Sequence, residues 1–393
     1  MKKTQETLRI KNSIKEAILY IAFELSHRKW KLGFSNAEKM RTVTIEARDL
    51  DKLHEEIEKA KQRFGLEGQI RVVSCYEAGR DGFWLHRYLL SCGIENVVVD
   101  SASIEVNRRK RRAKTDRIDV RKLLHKLLRY HGGEQLVWSV VNVPSEEAED
   151  GRQLHRELEV LKKERTMHRN RLKSLLIQQG IVVSNPSSRK FLIQLETLRT
   201  WDGKELPADF KSRIIREHGR LRMVEEQIYA LGKEREKRVA AADTDAMKQV
   251  EQLMSLVGIG MNSSWKFVME FFGWRDFKNG KQIGALSGLT PTPYDSGSSV
   301  REQGISKAGN ERVRTLAVEM AWVWLRFQPQ SKLSKWYTQR FAEGGKRMRR
   351  IGIVAMARRL LIDLWRYLEH GVVPEGARLV GTVPNNVITD CNE

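Results

Sequence analysis

Apolar and polar residues alternate in short runs over the first third of this chain, then change to a spacing of three and four. From Ile18 the run ILYIAFE is an apolar strand that ends near Glu24, and after a polar turn Trp30, Leu32 and Phe34 alternate along a second strand. RTVTIE at 41–46 predicts a third strand. Leu50, Leu53, Ile57 and Ala60 fall at helical spacing between Asp49 and Phe64. IRVVSCY at 70–76 is a buried strand followed by Glu77, and Leu85, Leu89 and Leu90 mark a short helix. Residues 97–99 make another strand, and LLHKLL after Asp119 predicts a further helix.

Three strands, helix, strand, helix, strand, helix is the order of an RNase H-like α/β domain, here assigned to 1–144. From about Ser145 the pattern is different. Leu154, Leu158, Leu161, Leu172 and Leu175 follow a four-three repeat, as do Leu221, Val224, Ile228 and Leu231, so 145–244 is expected to be a coiled-coil-like pair of helices broken by NPSS and WDGKELP. Arg165 and His168 occupy seam positions where apolar residues are expected, either as a register device or because the helix faces nucleic acid there. The remainder, 245–393, is mainly helical. A helix reaching Val257, then Gly258-Ile259-Gly260, then a helix from Asn262 to Phe272 has the shape of a helix-hairpin-helix grip on a DNA backbone, although such glycines also mark ordinary turns. Apolar helices are expected over 317–327 and 351–368.

Charge narrows the class of partner. The 71 Lys and Arg against 50 Asp and Glu give a net charge of +21, characteristic of a protein that tracks a polyanion, with nucleic acid first. No apolar run approaches the roughly 20 residues of a membrane span, and the amino terminus lacks a signal-peptide core, so a cytoplasmic, nucleoid-associated protein without membrane contact is expected. Cys75, Cys92 and Cys391 lack the paired spacing of a zinc site or a disulfide framework.

The stretch RRKRRAKTDRID at 108–119 concentrates chemistry. Arg108, Arg109, Lys110, Arg111, Arg112 and Lys114 are candidate phosphate contacts, and Asp116 and Asp119, at i and i+3, share the first turn of the following helix. Two carboxylates that close repel unless a cation lies between them, and Mg²⁺ (or Mn²⁺) is the hard ion suited to oxygen ligands beside phosphate. Acids at a helix start also simply favour the helix dipole. Glu24 and Glu77, each at the end of an apolar strand, are the other candidates, so that four acids from three segments would meet at one sheet edge; either glutamate alone reads equally as an exposed strand or turn acid. Further on, Ser296 lies in a Gly- and Pro-rich stretch with Lys307, Arg312 and Arg314 downstream, and KRMRR supplies Lys346, Arg347, Arg349 and Arg350. No GXSXG elbow and no P-loop is present, so if Ser296 is more than a loop residue its target is a phosphodiester.

Several of these segments together resemble the DEDD transposases of insertion sequences, the bridge-RNA-guided recombinases. They are YIAFELS, YEAG at 76–79, KTDRID at 114–119, LVGIG at 256–260, and GLTP, SG and GISKAGN between 288 and 310, in family order over nearly the whole chain. The resemblance implies a junction-resolvase-like first domain whose Glu24, Glu77, Asp116 and Asp119 hold Mg²⁺. It makes Ser296 the nucleophile that is joined transiently to DNA. It further implies donor and target DNA, a structured guide RNA from the element's end, and an assembly of two to four copies. One position departs: the family's first acid is Asp, and Glu24 is one methylene longer. Two other readings of the same residues are a metal-dependent junction resolvase or nuclease that uses water, and a non-catalytic nucleic-acid-binding remnant.

Overall fold

The computed structural model describes residues 17–104, 116–296 and 299–381. The chain divides into two compact units at 143/144. No helix among the described residues is long and apolar enough to cross a membrane.

In the first unit, β1 (Ile18–Glu24), β2 (Lys29–Ser35), β3 (Met40–Glu46), β4 (Arg71–Glu77) and β5 (Glu95–Val99) form one sheet in the order β3-β2-β1-β4-β5. The first three pair antiparallel, while β4 and β5 run parallel to β1. Period-two alternation sorts the side chains. Leu19, Ile21 and Phe23 pack with Val72 and Tyr76 against α1 (Leu50–Phe64) and α2 (Trp84–Ser91). Tyr20 and Ala22 pack with Val73 and Cys75 against Val120, Leu123, Leu124 and Leu127 of α3 (Asp116–His131).

The direction of α3 follows from two contacts. Tyr20 Oη and His131 Nδ1 lie 2.9 Å apart near its end, while near its start Val120 covers Gly33, the β2 partner of Ala22. A Cβ on Gly33 would come within 3.2 Å of Val120 Cγ2, so a side chain there would make Val120 give way by a few tenths of an ångström. The helix therefore runs back along β1, and its first turn lies toward Glu24.

The second unit opens with α4 (Glu146–Asp150), followed by α5 (Gln153–Ile177), α6 (Phe191–Thr197) and α7 (Ala208–Ala241). The two long helices pack along each other through Leu158, Leu161, Leu172, Leu175, Leu221 and Val224, all buried. The polar seam position His168 is buried too, and its Nδ1 reaches Glu217 Oε1 at 2.7 Å across the pair. The remaining helices are α8 (Asp245–Met254), α9 (Met261–Phe267), α10 (Gly280–Leu286), α11 (Glu311–Phe327), α12 (Lys332–Tyr337) and α13 (Lys346–His370). They enclose a core built on Trp265, Phe267, Phe271, Trp324 and Leu360.

Three expectations change. The predicted 262–272 helix is α9 followed by a π-turn at Val268–Phe272, which carries the buried Glu270 within its apolar run. The predicted loop around Ser296 is an antiparallel hairpin, β6 (Pro291–Ser296) and β7 (Ser299–Ile305), with Ser296 paired to Ser299. The helix expected over 351–368 begins earlier, at Lys346, so the basic cluster at 346–350 is its first part.

The hairpin leaves the body where two chain segments cross. Gly288 and Gly309 have φ of +69° and +89°, and a Cβ on Gly309 would lie 2.1 Å from the Leu286 carbonyl oxygen. Left-handed strain and this clash together set the cost of Gly309→Ala at roughly 2–5 kcal/mol. Thermal unfolding of the full chain is expected to show the second unit melting several degrees lower, and an unchanged transition would remove the crossing as a constraint.

Candidate active site

The parallel register aligns Phe23 with Tyr76, so the next residues, Glu24 and Glu77, lie side by side at the ends of neighbouring strands. Alternation sends both to the face of Tyr20, Ala22, Val73 and Cys75, which is the face covered by α3. Burial pushes the Cys75 thiol well above its usual range, and the nearby Glu77 charge adds to this. Asp116 begins α3 and Asp119 is half-buried one turn on, its Oδ1 accepting from Lys122 Nζ at 3.1 Å. The backbone thus brings the ends of β1 and β4, with Glu24 and Glu77, and the first turn of α3 to the same face and the same end of the sheet. The side chain of Asp116 lies outside the described residues, as do Arg108 to Arg112 and Lys114.

Glu24 and Glu77 line a cavity of about 370 Å³ with Ser26, His27, Arg80 and Asp81. Its walls are fixed: Tyr76 Oη donates to the Gly82 carbonyl at 3.0 Å, and the Ala78 amide to Val99 O at 2.7 Å. Asp81, nearly buried, meets Arg80 at 3.3 Å and Arg48 at 3.5 Å. Sequence reading missed Asp81, Arg80 and His27, although AGRDG follows Glu77 directly. Carboxylate oxygens in this number suit a hard cation rather than zinc or a soft metal. No three His, Cys, Asp or Glu side chains among the described residues stand as a ready ligand set.

In the second unit the backbone of Ser296 is the last residue of β6. The base of that hairpin is held by Asn310 N to Leu286 O at 2.8 Å and Lys307 N to Gly288 O at 3.1 Å. Asn310 caps α11, its Oδ1 accepting from the Val313 amide at 3.2 Å, and its Nδ2 lies 3.3 Å from Glu270 Oε2. Glu270, 1% exposed, also accepts from His155 Nε2 and Arg156 Nε at 2.8 Å and from Arg156 Nη2 at 3.0 Å. Burial pushes this carboxyl up, but those hydrogen bonds outweigh it and hold the group below its ordinary value. Arg275 donates to the Glu270 carbonyl at 2.8 Å and lies over Trp274 at 3.7 Å; burial, then Arg152, lowers it to about 10. An acid inside VMEFF was the available sequence signal for this network.

The predicted basic contacts divide. Lys346, Arg347, Arg349 and Arg350 are exposed at the start of α13, where cations oppose the helix dipole and a bound phosphate would relieve them. Lys307 is exposed with φ of +56°. Arg312 meets Glu159 at 3.2 Å, and Arg314 donates to Lys307 O at 2.9 Å, so both also brace the hairpin's base. At 258–260, Gly258 has φ of +91° and lies against Phe327, and Gly260 caps α9.

Residues 250–335 match the family described as Transposase IS116/IS110/IS902 family. The chain is 42% identical over 374 residues to "Putative transposase y4rJ" of Sinorhizobium fredii, an alignment covering 91% of this chain and 94% of that one. It is 28% identical over 185 residues to the transposase for insertion sequence element IS1328 of Yersinia enterocolitica, covering 47% of this chain and 53% of that one.

A carboxyl depressed in the folded chain contributes stability that is fully present above its ordinary 4.5 and is lost as pH falls through the folded value. Glu270→Gln should therefore flatten the loss of stability below pH 4.5, and Glu270→Ala, which strands Arg156 and buried His155, should cost about 3–5 kcal/mol near neutrality. Urea titrations across this range are the measurement. Parallel pH profiles for wild type and Glu270→Gln would count against the network.

Proposed function

The chain belongs to the IS116/IS110/IS902 family of insertion-sequence transposases, and on that premise we propose that it exchanges DNA strands through a transient phosphodiester between Ser296 and DNA. The observation that supports the reading is the register that sets Glu24 and Glu77 side by side at strand ends on the face covered by α3, whose first turn carries Asp116 and Asp119 in sequence. The strand order β3-β2-β1-β4-β5, antiparallel and then parallel, supports an RNase H-like, junction-resolvase-like first domain. In this reading 1–144 carries the acids, 145–244 the helical pair and 245–393 the serine.

The four acids would hold Mg²⁺ (or Mn²⁺), which supplies charge neutralisation at the phosphate oxygens and lowers the cost of alkoxide character. Ser296 Oγ attacks phosphorus in line; the Oγ–P bond forms as the P–O bond to the leaving strand breaks, and that oxygen takes up a proton. Attack by the incoming strand's hydroxyl on the same phosphorus returns the proton to Ser296. Bond energy is kept throughout, so no nucleotide is consumed. Holding the base of the hairpin at Gly288, Gly309 and Asn310 limits the excursions of the serine, which in-line attack requires. Lys307, Lys346, Arg347, Arg349 and Arg350 would contact phosphates, as would the 108–114 run that precedes Asp116 in the sequence. By likeness to the family, a structured guide RNA selects donor and target DNA, and the chain works as an assembly of two to four copies.

Wild type, the element-end RNA, junction DNA and Mg²⁺ should yield a denaturant-resistant protein–DNA adduct that Ser296→Ala abolishes. Cleavage that persists in Ser296→Ala without an adduct would transfer the chemistry to a water-using nuclease. Millimolar Mg²⁺ should also raise the melting temperature of wild type but not of Glu24→Gln/Glu77→Gln. An equal response in both would separate the cation from these acids.

A further inference from the structure

Around Glu159 and Lys162 of α5 stand cations of α5, α7, α9 and α11. Glu159 accepts from Lys266 and, at 3.2 Å, from Arg312. Lys162 and Arg165 stand on successive turns of the same helix beyond Glu159, and Arg235 approaches from α7. Neither the Lys162 nor the Arg165 side chain makes a hydrogen bond or ion pair among the described residues, and Arg165 Nε is buried without a partner. Arg235 is 2% exposed and its Nε is likewise buried and unpartnered. Its other nitrogens reach only neutral acceptors, Asn262 Oδ1 at 2.9 Å and Met261 O at 3.1 Å, and the guanidinium lies over Trp265 at 5.1 Å.

Burial, then the charges of Arg235 and Arg165, pulls Lys162 below its usual range. Such an arrangement weakens the fold, since cations out of water without anions are costly and like charges add to the cost. Apolar residues at these helix positions would be more stable. The structure also separates the two polar seam positions: His168 bonds to Glu217 across the pair, whereas Arg165 has no such partner.

We propose that Lys162, Arg165, Arg235 and Lys266 form a binding site for a phosphodiester of a nucleic-acid backbone. The anion must offer several acceptor oxygens to donors converging from three helices, and a phosphate does so where a lone carboxylate offers two. Nothing in the group reads base edges, so the site positions a strand without choosing its sequence. This rests on the reading that the chain acts on nucleic acid.

The test compares full-length wild type with Lys162→Met/Arg165→Met and with the charge-preserving Lys162→Arg/Arg165→Lys, using fluorescence anisotropy at several salt concentrations. The probes are a labelled duplex DNA of arbitrary sequence and the labelled element-end RNA. The methionine variant should bind one or both about tenfold more weakly, with a salt slope shallower by roughly two, and should melt no lower than wild type. Loss on DNA alone or on RNA alone assigns the site to that strand. The charge-preserving variant should bind like wild type. Unchanged affinity and slope for both probes, or a lower melting temperature of the methionine variant, would overturn the site while leaving the transposase reading intact. Wild type that binds neither probe would overturn both.

Discussion

A charge taken out of water must be given a partner, and that constraint runs through both units of this protein. Where the partner is internal the result is rigid: Glu270 collects His155, Arg156 and Asn310, Glu217 collects His168, Arg171 and Arg220, and Glu56 is held by Arg41. These acids are buried, and each stays ionised because donors outweigh desolvation. Glu270 joins the end of α9 to α5 and, through the Asn310 cap, to the helix that follows the serine hairpin. A local charge requirement thereby becomes a long-range geometric one.

The hairpin shows the complementary constraint, made by backbone rather than charge. Gly288 and Gly309 adopt left-handed φ at the point where the segments before and after the hairpin cross, and carbonyl oxygens occupy the space that side chains would need. Neither glycine supplies chemistry. They allow the strand ends to be tied by Asn310 N to Leu286 O and Lys307 N to Gly288 O, which fixes where the two strands leave the body.

Legibility in the sequence followed the physics of each element. Alternation in ILYIAFE and IRVVSCY is a one-dimensional signal, so the strands, their buried faces and the terminal positions of Glu24 and Glu77 could be read directly. The four-three repeat likewise disclosed the paired long helices. The hairpin at Ser296 was not legible, because Pro291, Pro293 and several glycines signal a loop whether or not the strands pair. Asp81 and Glu270 escaped for another reason: their importance lies in neighbours brought together by tertiary packing, Arg48 in one case and residues 155 and 156 in the other. Arg312 and Arg314 were read as cations for phosphate, yet the fold also gives them acceptors of its own.

The acid end of the sheet and the cationic cluster are two places where charges of one sign gather, and their signs are opposite. At the strand ends, carboxylates on adjacent strands face one side of a sheet; in the cluster, cations on four helices surround Glu159 and Lys162. Each gathers like charges, and in the proposed function a ligand of the opposite sign would lower their repulsion. A hard cation and a phosphodiester are the two species that a metal-assisted phosphoryl transfer brings together. An excess of 21 positive charges gives the chain a further reason to hold a polyanion close. In the proposed function, nucleic acid and metal would each lower the repulsion at one of these places, so binding free energy would add to internal packing in the working form.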